Sequence, residues 1–320
     1  MTKDKSIRLK AGARLHLQVI DPTGISGFKL GGIGLSLKEP NVEIIVTTAK
    51  TIREQEFIQD TKYIKEITFE KHLSTNLQDF NVFFKSSIPR HVGLGSGTIH
   101  RTLLRKALQK ISNTSKDIFQ LSSLTGVGQY SVLNGGLVLV SPIPKNNSNP
   151  IEAFRGETII RPSQNLIGSF AIPTNWQTIL CIPREHIRHE LYSDKETYFY
   201  ENLPSPSVEE LRSISFDIIS KLIPAVNSKD FQKFEEALKT ITCLGWKKYE
   251  KDLFREYWNK TSSVLYEIGA HFVATSSNGP TTYTFFDTDK IDKEDIFEKL
   301  NAKLENDCYI VLSEINNDPL

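Results

Sequence analysis

Apolar and polar positions alternate at several points along the chain, and each such run predicts a strand. In Ser6–Asp21, Ile7, Leu9, Leu15, Leu17 and Val19 alternate with polar residues around a break at Ala11–Gly12–Ala13. Val42–Thr48 and Asn81–Ser87 read as further strands, and a short strand follows the glycines of GGIGLSL, Gly31 to Leu37. The pattern then changes period. From Pro89 the chain runs PRHVGLGSGTIHRTLLRKALQKI, where Ile99, Leu103, Leu104, Ala107, Leu108 and Ile111 recur at helical spacing. His100, Arg101, Arg105, Lys106, Gln109 and Lys110 fill the opposite side, so an amphipathic helix is predicted to start just after the glycines. Thr114–Thr125 predicts a second helix, and the charged segment Lys50–Asp79 a surface helix followed by a connection.

Beyond about Gly168 the order changes to a strand at Gln177–Pro183, helices within 207–226, 229–241 and 252–269, strands at His271–Ser277 and Thr281–Phe286, a helix at 290–305 and a last strand, CYIVLSEI. Strand, helices, hairpin, helix and strand make an α+β unit with an antiparallel sheet. Two domains sharing one cleft are therefore expected, at 1–170 and 171–320.

Composition narrows the function. A net charge of +1 over 320 residues gives no basic field, which argues against nucleic acid as a partner. No window is long and apolar enough for a membrane span, and MTKDKSIRLKAG carries no signal-peptide pattern. Cys181, Cys243 and Cys308 follow no metal spacing, which points to a reducing, cytoplasmic setting.

The candidate chemistry centres on the glycine run. A turn with Gly93, Gly95 and Gly97 that opens a helix offers unpaired N–H groups and the positive end of the helix dipole, and so suits a phosphate. Arg90, His91, Ser96 and Thr98 flank it with charge and hydroxyls, so Gly93, Leu94, Gly95, Ser96, Gly97 and Thr98 read as an anion site. Arg14 and His16 share one strand face, which fits either an exposed edge or a site wall. Gly31 and Gly32 fit either a bulge or room for a ligand. Gly126, Gly128 and the pair Gly135–Gly136 predict a helix-to-strand corner against the anion turn. The loop SSNGPT, with Ser276, Ser277 and Thr281, fits either a hairpin turn or a flap that closes over a ligand.

Four segments in this order, ARLHLQVID, GLGSGT before a helix, GVG with a later GG, and SSNGPT, resemble the GHMP kinase superfamily. Within it the chain is most similar to the β-ribofuranosylaminobenzene 5′-phosphate synthase family, through ARLHL with GGIGL and EPN, GLGSGT, and SSNGPTTY, over essentially its whole length. That resemblance implies a two-domain α+β fold, with an N-terminal α/β domain carrying the phosphate loop and a ferredoxin-like C-terminal domain. The implied enzyme joins 5-phosphoribosyl diphosphate to a 4-amino- or 4-hydroxybenzoate, releasing carbon dioxide and diphosphate, on the route to a methanopterin-type carrier. Also implied are Mg²⁺ bound with the diphosphate, no organic cofactor, and a homodimer. By motif position, the resemblance gives the phosphates to Gly93 through Thr98. It gives charge neutralisation or the benzoate carboxylate to Arg14, His16, Arg90 and His91, substrate contact to Gly31, Gly32, Gly126 and Gly128, and closure to Ser276, Ser277 and Thr281.

Many GHMP kinases place a catalytic Asp seven residues before a Gly-Gly pair, and here that count reaches Gly128. Loss of such a base costs on the order of 10² to 10⁴ in rate, which disfavours an ATP-dependent kinase. Where the synthase family carries Asp-Gly-Gly this chain has LVLVSPIP, and REHIRHE stands in place of a glycine-rich loop, where Arg184, His186, Arg188 and His189 fit either a basic substrate lid or an exposed amphipathic connection. A small-metabolite kinase and a non-catalytic phosphometabolite binder are the competing readings.

Overall fold

The computed structural model describes residues 5–48, 80–113, 125–145, 164–184, 198–199 and 201–320. The first sheet is antiparallel and its main path runs β1 (Ser6–Asp21), β2 (Phe28–Thr47), β4 (Leu137–Val140) and β6 (Leu166–Phe170). Strands β3 (Asn81–Ser86) and β5 (Ile143–Pro144) pair with opposite ends of β2. The two short strands expected around Gly31–Leu37 and Val42–Thr48 are thus one strand of 20 residues, because β1 pairs along nearly all of it. Helix α1 (Ser96–Ser112) lies on β1 and β2 and buries Ile99, Leu103, Leu104, Ala107, Leu108 and Ile111, the apolar stripe read from the sequence. Helix α2 (Val127–Asn134) follows and leads into β4. The expected helix at Thr114–Thr125 lies outside the described residues but for Thr125, and the segment Lys50–Asp79 and His186, Arg188 and His189 lie wholly outside them.

The second sheet has the order β10 (Cys308–Glu314), β7 (Trp176–Pro183), β9 (Thr282–Asp287), β8 (Ala274–Thr275), all antiparallel. By sequence rank within this half that order is 4-1-3-2, the ferredoxin-like arrangement. Between β7 and β8 run α3 (Val208–Asp217), a π-helical turn (Ile218–Leu222), α4 (Ile223–Asn227), α5 (Phe231–Ile241), α6 (Lys247–Glu250), a 3₁₀ turn (Lys251–Phe254) and α7 (Arg255–Glu267). Helix α8 (Lys293–Leu304) connects β9 to β10. Ser207 and Glu210 form a reciprocal capping box at the start of α3, and Asp230 and Asp292 cap α5 and α8.

Buried apolar side chains from both sheets, from Leu9 to Ile315, form one continuous cluster. Polar stitches cross the same junction. Gln18 Nε2 donates to the carbonyls of Ile241 and Leu244, tying β1 to the end of α5. Past β10, the Asn316 amide donates to Ser36 O at 2.8 Å and the Gly136 amide to Asn316 O at 2.7 Å, while Asn317 exchanges side-chain hydrogen bonds with Ile172. These junctions set β1 of the first half against the β8–β9 hairpin of the second.

Candidate active site

Three segments meet at that junction: the glycine loop, β1 and the turn between β8 and β9. In the loop Val92 and Leu94 point into the core while Gly93 and Gly95 remain partly open to solvent. The loop's carbonyls are all engaged by protein donors. Val92 O accepts from Thr281 N at 3.4 Å, Gly93 O from Ser276 Oγ at 2.9 Å, and Leu94 O from Arg14 N at 3.0 Å. Gly93, at φ 85°, needs its missing side chain, since a Cβ there would lie 1.9 Å from Ser276 O.

Gly95, at φ 75°, is the N-cap of α1, and no side chain caps the helix. Ile99 N to Gly95 O, at 3.1 Å, is the first hydrogen bond of the helix, so the amides of Ser96, Gly97 and Thr98 precede the ladder. Beside Gly97 the space is open, with only Arg101 Nη2 near a would-be Cβ, at 3.8 Å. Thr98 is half-buried, and Ser96 is buried. Among the expected phosphate-binding residues, the open amide edge therefore lies at Gly95, Gly97 and Thr98, with Leu94 as an anchor.

Arg14 lies directly beneath this edge. Its Nε is 3.1 Å from where a Gly95 Cβ would stand. Its Nε and Nη1 are sealed from solvent and bond to nothing among the described residues. Burial lowers its pKa to about 10, opposed by the Glu250 carboxylate. A desolvated cation facing a helix N-terminus leaves two positive features in contact, an arrangement that an anion between them would relieve.

His16 shares the Arg14 face and is buried. Its amide donates to Ser276 Oγ at 3.2 Å, and its Nδ1 has no partner among the described residues. Burial, then Arg14 and Lys247, hold its pKa well below the usual 6.5. The folded protein therefore keeps His16 neutral while the unfolded chain takes up a proton below about pH 6.5. This contribution to stability is lost as pH falls from that value, at about 1.4 kcal/mol per pH unit. Glu250 acts with the opposite sign, because burial raises its pKa to about 7 and acidification relieves the cost of burying its charge. Between pH 6.5 and 5 the His16→Asn variant should consequently gain urea resistance relative to the unchanged protein, by up to ~2 kcal/mol. Urea midpoints at several pH values check this; a constant gap would mean that His16 is not held neutral.

Lys247 and Glu250 on α6 complete the cluster, and neither is among the residues expected from the sequence. Lys247 Nζ donates to His16 O at 3.2 Å, to Thr275 O at 2.5 Å and to Glu250 Oε2 at 2.6 Å, which ties β1 to β8. Burial lowers the pKa of Lys247 despite that pair. Desolvation outweighs the mutual attraction for both partners. Tyr283, two residues beyond Thr281 on β9, is fully buried, and its hydroxyl has no partner among the described residues. The Thr281 Oγ1 is likewise buried and unpaired.

The other expected residues separate into two groups. Ser276 bridges His16 and Gly93 as described, and Ser277, at φ 53°, forms the turn beyond it. Arg90 and His91 lie half-buried in the turn before Gly93, His91 at φ 57°. The glycines of the second group are filled by protein atoms. A Cβ at Gly31 would lie 2.5 Å from Pro142 N, at Gly32 2.7 Å from Gln18 O, at Gly126 2.9 Å from Val140 Cγ1, and at Gly128 3.1 Å from Thr98 Cγ2. Gly31, Gly32, Gly126 and Gly128 therefore serve close packing, and ligand contact is not needed to explain them. Gly128 packs α2 against the first turn of α1, where no carboxylate could stand without displacing Thr98. Arg184 lies apart from the cluster, with its Nε on Glu305 O and its guanidinium 4.2 Å from the Tyr309 ring centroid.

Among the described residues no group of three or more His, Cys, Asp or Glu is arranged to hold a metal, and the first turn of α1 has no acid. The described residues therefore do not fit a metal site of their own. Among the described residues no helix is long and apolar enough to cross a membrane.

No protein-family model matches the chain. It is 27% identical to the β-ribofuranosylphenol 5′-phosphate synthase of Methanocaldococcus jannaschii, over 97% of this chain and 98% of that one. It is also 27% identical to the protein of the same name from Archaeoglobus fulgidus, over 97% of each. Among solved structures, homoserine kinase from Cytophaga hutchinsonii superposes with a TM-score of 0.62 at 11% identity, covering 99% of this chain and 97% of that one. Mevalonate diphosphate decarboxylase from Staphylococcus aureus gives 0.59 at 15% identity, covering 98% and 96%. At such identities the structures establish the fold alone. In sequence the chain is similar to the β-ribofuranosylphenol 5′-phosphate synthases, and in fold it is similar to homoserine kinase and mevalonate diphosphate decarboxylase.

Proposed function

We propose that the protein joins 5-phosphoribosyl diphosphate to a 4-substituted benzoate, giving a ribofuranosylbenzene 5′-phosphate, carbon dioxide and diphosphate, a product class in line with the ribofuranosylphenol 5′-phosphate named for the similar proteins. The observation that carries the reading is the uncapped start of α1 over the unpartnered Nε and Nη1 of Arg14, donors that suit an anion, with no catalytic carboxylate on α2. In this reading the amides at Gly95, Gly97 and Thr98, with Arg14, hold the diphosphate and stabilise it as it leaves the anomeric carbon. The ring carbon bearing the carboxylate then attacks that carbon, the carboxylate departs as carbon dioxide, and the electron pair it leaves restores the aromatic ring. Positioning and preorganised charge supply the catalysis, and the chemistry requires no covalent enzyme intermediate. Mg²⁺ belongs to the proposal as an ion carried by the diphosphate oxygens, since substrate phosphates commonly furnish its ligands. A cytoplasmic homodimer is part of the same proposal.

Gly97→Asp tests the anion site. An acid in the first turn suits the helix dipole and the space beside Gly97 is open, so the fold should persist with an unchanged or higher melting temperature. Binding of phosphoribosyl diphosphate in a calorimetric titration should fall at least ~100-fold through charge repulsion in a desolvated site. Undiminished binding would mean that the anion lies elsewhere. Tight ATP binding with no response to the sugar diphosphate would favour the kinase alternative.

A further inference from the structure

Helix α5 turns an apolar stripe, Phe234, Ala237, Leu238 and Ile241, into the core. Beside that stripe Gln232, Glu235, Glu236 and Lys239 fall three and four residues apart, and so share a neighbouring strip of the helix. Together with His271, three residues before β8, they line a cavity of about 220 Å³. None of the five belongs to the glycine loop, to β1 or to the turn between β8 and β9.

Two of these side chains lack the partners their positions call for. Glu235 is only 6% exposed, yet it borders the cavity, and its carboxylate takes no hydrogen bond or ion pair from the described residues. The acid nearest in charge, Asp287, is by contrast satisfied, with Oδ1 accepting from Asn175 Nδ2 at 2.7 Å and Oδ2 lying 3.4 Å from Lys290 Nζ. Burial pushes the Glu235 pKa up to about 7, opposed by Lys290 and assisted by Asp287. Lys239 stands four residues on, the spacing and order in which a Glu and a Lys pair best across a helical turn. Its ammonium nevertheless forms no ion pair among the described residues. Gln232 Nε2 is already engaged, donating to Glu236 Oε1 at 3.1 Å. A buried acceptor without a donor and a cation without a counter-charge thus border one space. Buried polar groups in native proteins are nearly always satisfied, so the space points to a ligand that supplies both partners.

We propose that this cavity binds a small free amino acid, with its ammonium group on the Glu235 carboxylate and its own carboxylate on Lys239 and His271. A plain organic cation would leave Lys239 facing like charge, and a plain anion would face Glu235. A zwitterion offers each wall its complement. An ammonium donating to a desolvated carboxylate makes the stronger, charge-assisted kind of hydrogen bond. The size agrees with a compact ligand. A volume of about 220 Å³ equals about seven waters at roughly 30 Å³ each, and lies below the ~300 Å³ at which sites for drug-sized molecules begin. The site stands apart from the reaction proposed above and does not depend on it.

Titration of the full chain at about pH 8, where Glu235 is largely ionised, with L-alanine, ethylammonium and propionate takes the two halves of the ligand apart. L-Alanine should give saturable shifts of the amide resonances within 232–239 and around His271, with a Kd in the millimolar range. Each half-ligand should bind at least ~10-fold more weakly, the scale of one lost charge-assisted hydrogen bond. Glu235→Gln keeps the shape of the side chain and removes its charge. It should weaken L-alanine at least ~10-fold while the melting temperature stays level or rises, a result that a structural role for the carboxylate would not give. Lys239 is exposed, so Lys239→Met should leave the fold intact and weaken L-alanine to a similar extent. If Glu235→Gln fails to fold, the Lys239→Met comparison decides. No saturable shift with L-alanine, or an affinity indifferent to both substitutions, would mean that the cavity holds only water and would overturn the assignment. Ethylammonium binding as tightly as L-alanine would overturn it as well, leaving a plain cation site.

Discussion

Arg14→Met should remove most of the affinity for phosphoribosyl diphosphate and at the same time raise the melting temperature of the ligand-free protein. The opposite signs follow from one fact. In the ligand-free fold the Nε and Nη1 of Arg14 are desolvated without a partner, while its Nε stands 3.1 Å from where a Gly95 Cβ would be. A charged hydrogen bond to phosphate in such a site is worth about 2–4 kcal/mol, so affinity should fall by roughly two to three orders of magnitude. Replacing unpaired buried donors by an unbranched apolar chain of similar length relieves a desolvation cost on the order of 1 kcal/mol, or a few degrees. Titration calorimetry and a thermal melt on the same two proteins read both effects. A melting temperature lowered by several degrees would make Arg14 a structural residue, and unchanged binding would remove it from the site.

Gly93→Ala carries the second large effect, on the join between loop and hairpin. A methyl group there would lie 1.9 Å from Ser276 O and 2.8 Å from Gly279 Cα, at a φ of 85° that L-residues avoid. Left-handed strain of about 1–2 kcal/mol and overpacking of about 1–3 kcal/mol add to a loss of about 2–5 kcal/mol. Gly97→Ala is the matched control. It lies in the first turn of α1 with open space around it, and should stabilise the helix by roughly 0.5–1 kcal/mol. Urea midpoints for the pair give the contrast, and equal midpoints would mean that the loop does not press on the hairpin. Because the same clash separates Ser276 from Gly93 O, Gly93→Ala should also lose ligand binding.

How much of this the sequence carried depends on whether a residue's role is local. The alternation in Ser6–Asp21 and the helical stripe after Gly97 are repeated signals of burial, and both elements appear with nearly the expected bounds. Arg14 and His16 share a face because side chains alternate on a strand, and that survives because the register shifts fall outside the stretch from Arg14 to His16. Strand β6 went unseen because Leu166–Phe170 is only partly buried and includes a glycine. The strand expected over His271–Ser277 shrinks to Ala274–Thr275; past it the Ser276 amide closes the turn on Thr281 O while its hydroxyl donates to the glycine loop. Lys247 and Glu250 had no local signal at all. Lys-Lys-Tyr-Glu reads as a solvated charge run, and only the docking of α6 against β1 and β8 buries two of those charges. The packing role of Gly31, Gly32, Gly126 and Gly128 was equally hard to read, because a missing side chain leaves room for protein as readily as for a ligand.

The exchange of hydrogen bonds among Ser36, Gly136 and Asn316 has a consequence for how the molecule is made. During synthesis β2 and β4 emerge early, yet the backbone that completes them there is near residue 316. The amino-terminal sheet, and with it the seat of the glycine loop, reaches its final state only after the whole second half has left the ribosome. A nascent chain halted between the two sheets would carry the loop's sequence without the hairpin that orients its carbonyls.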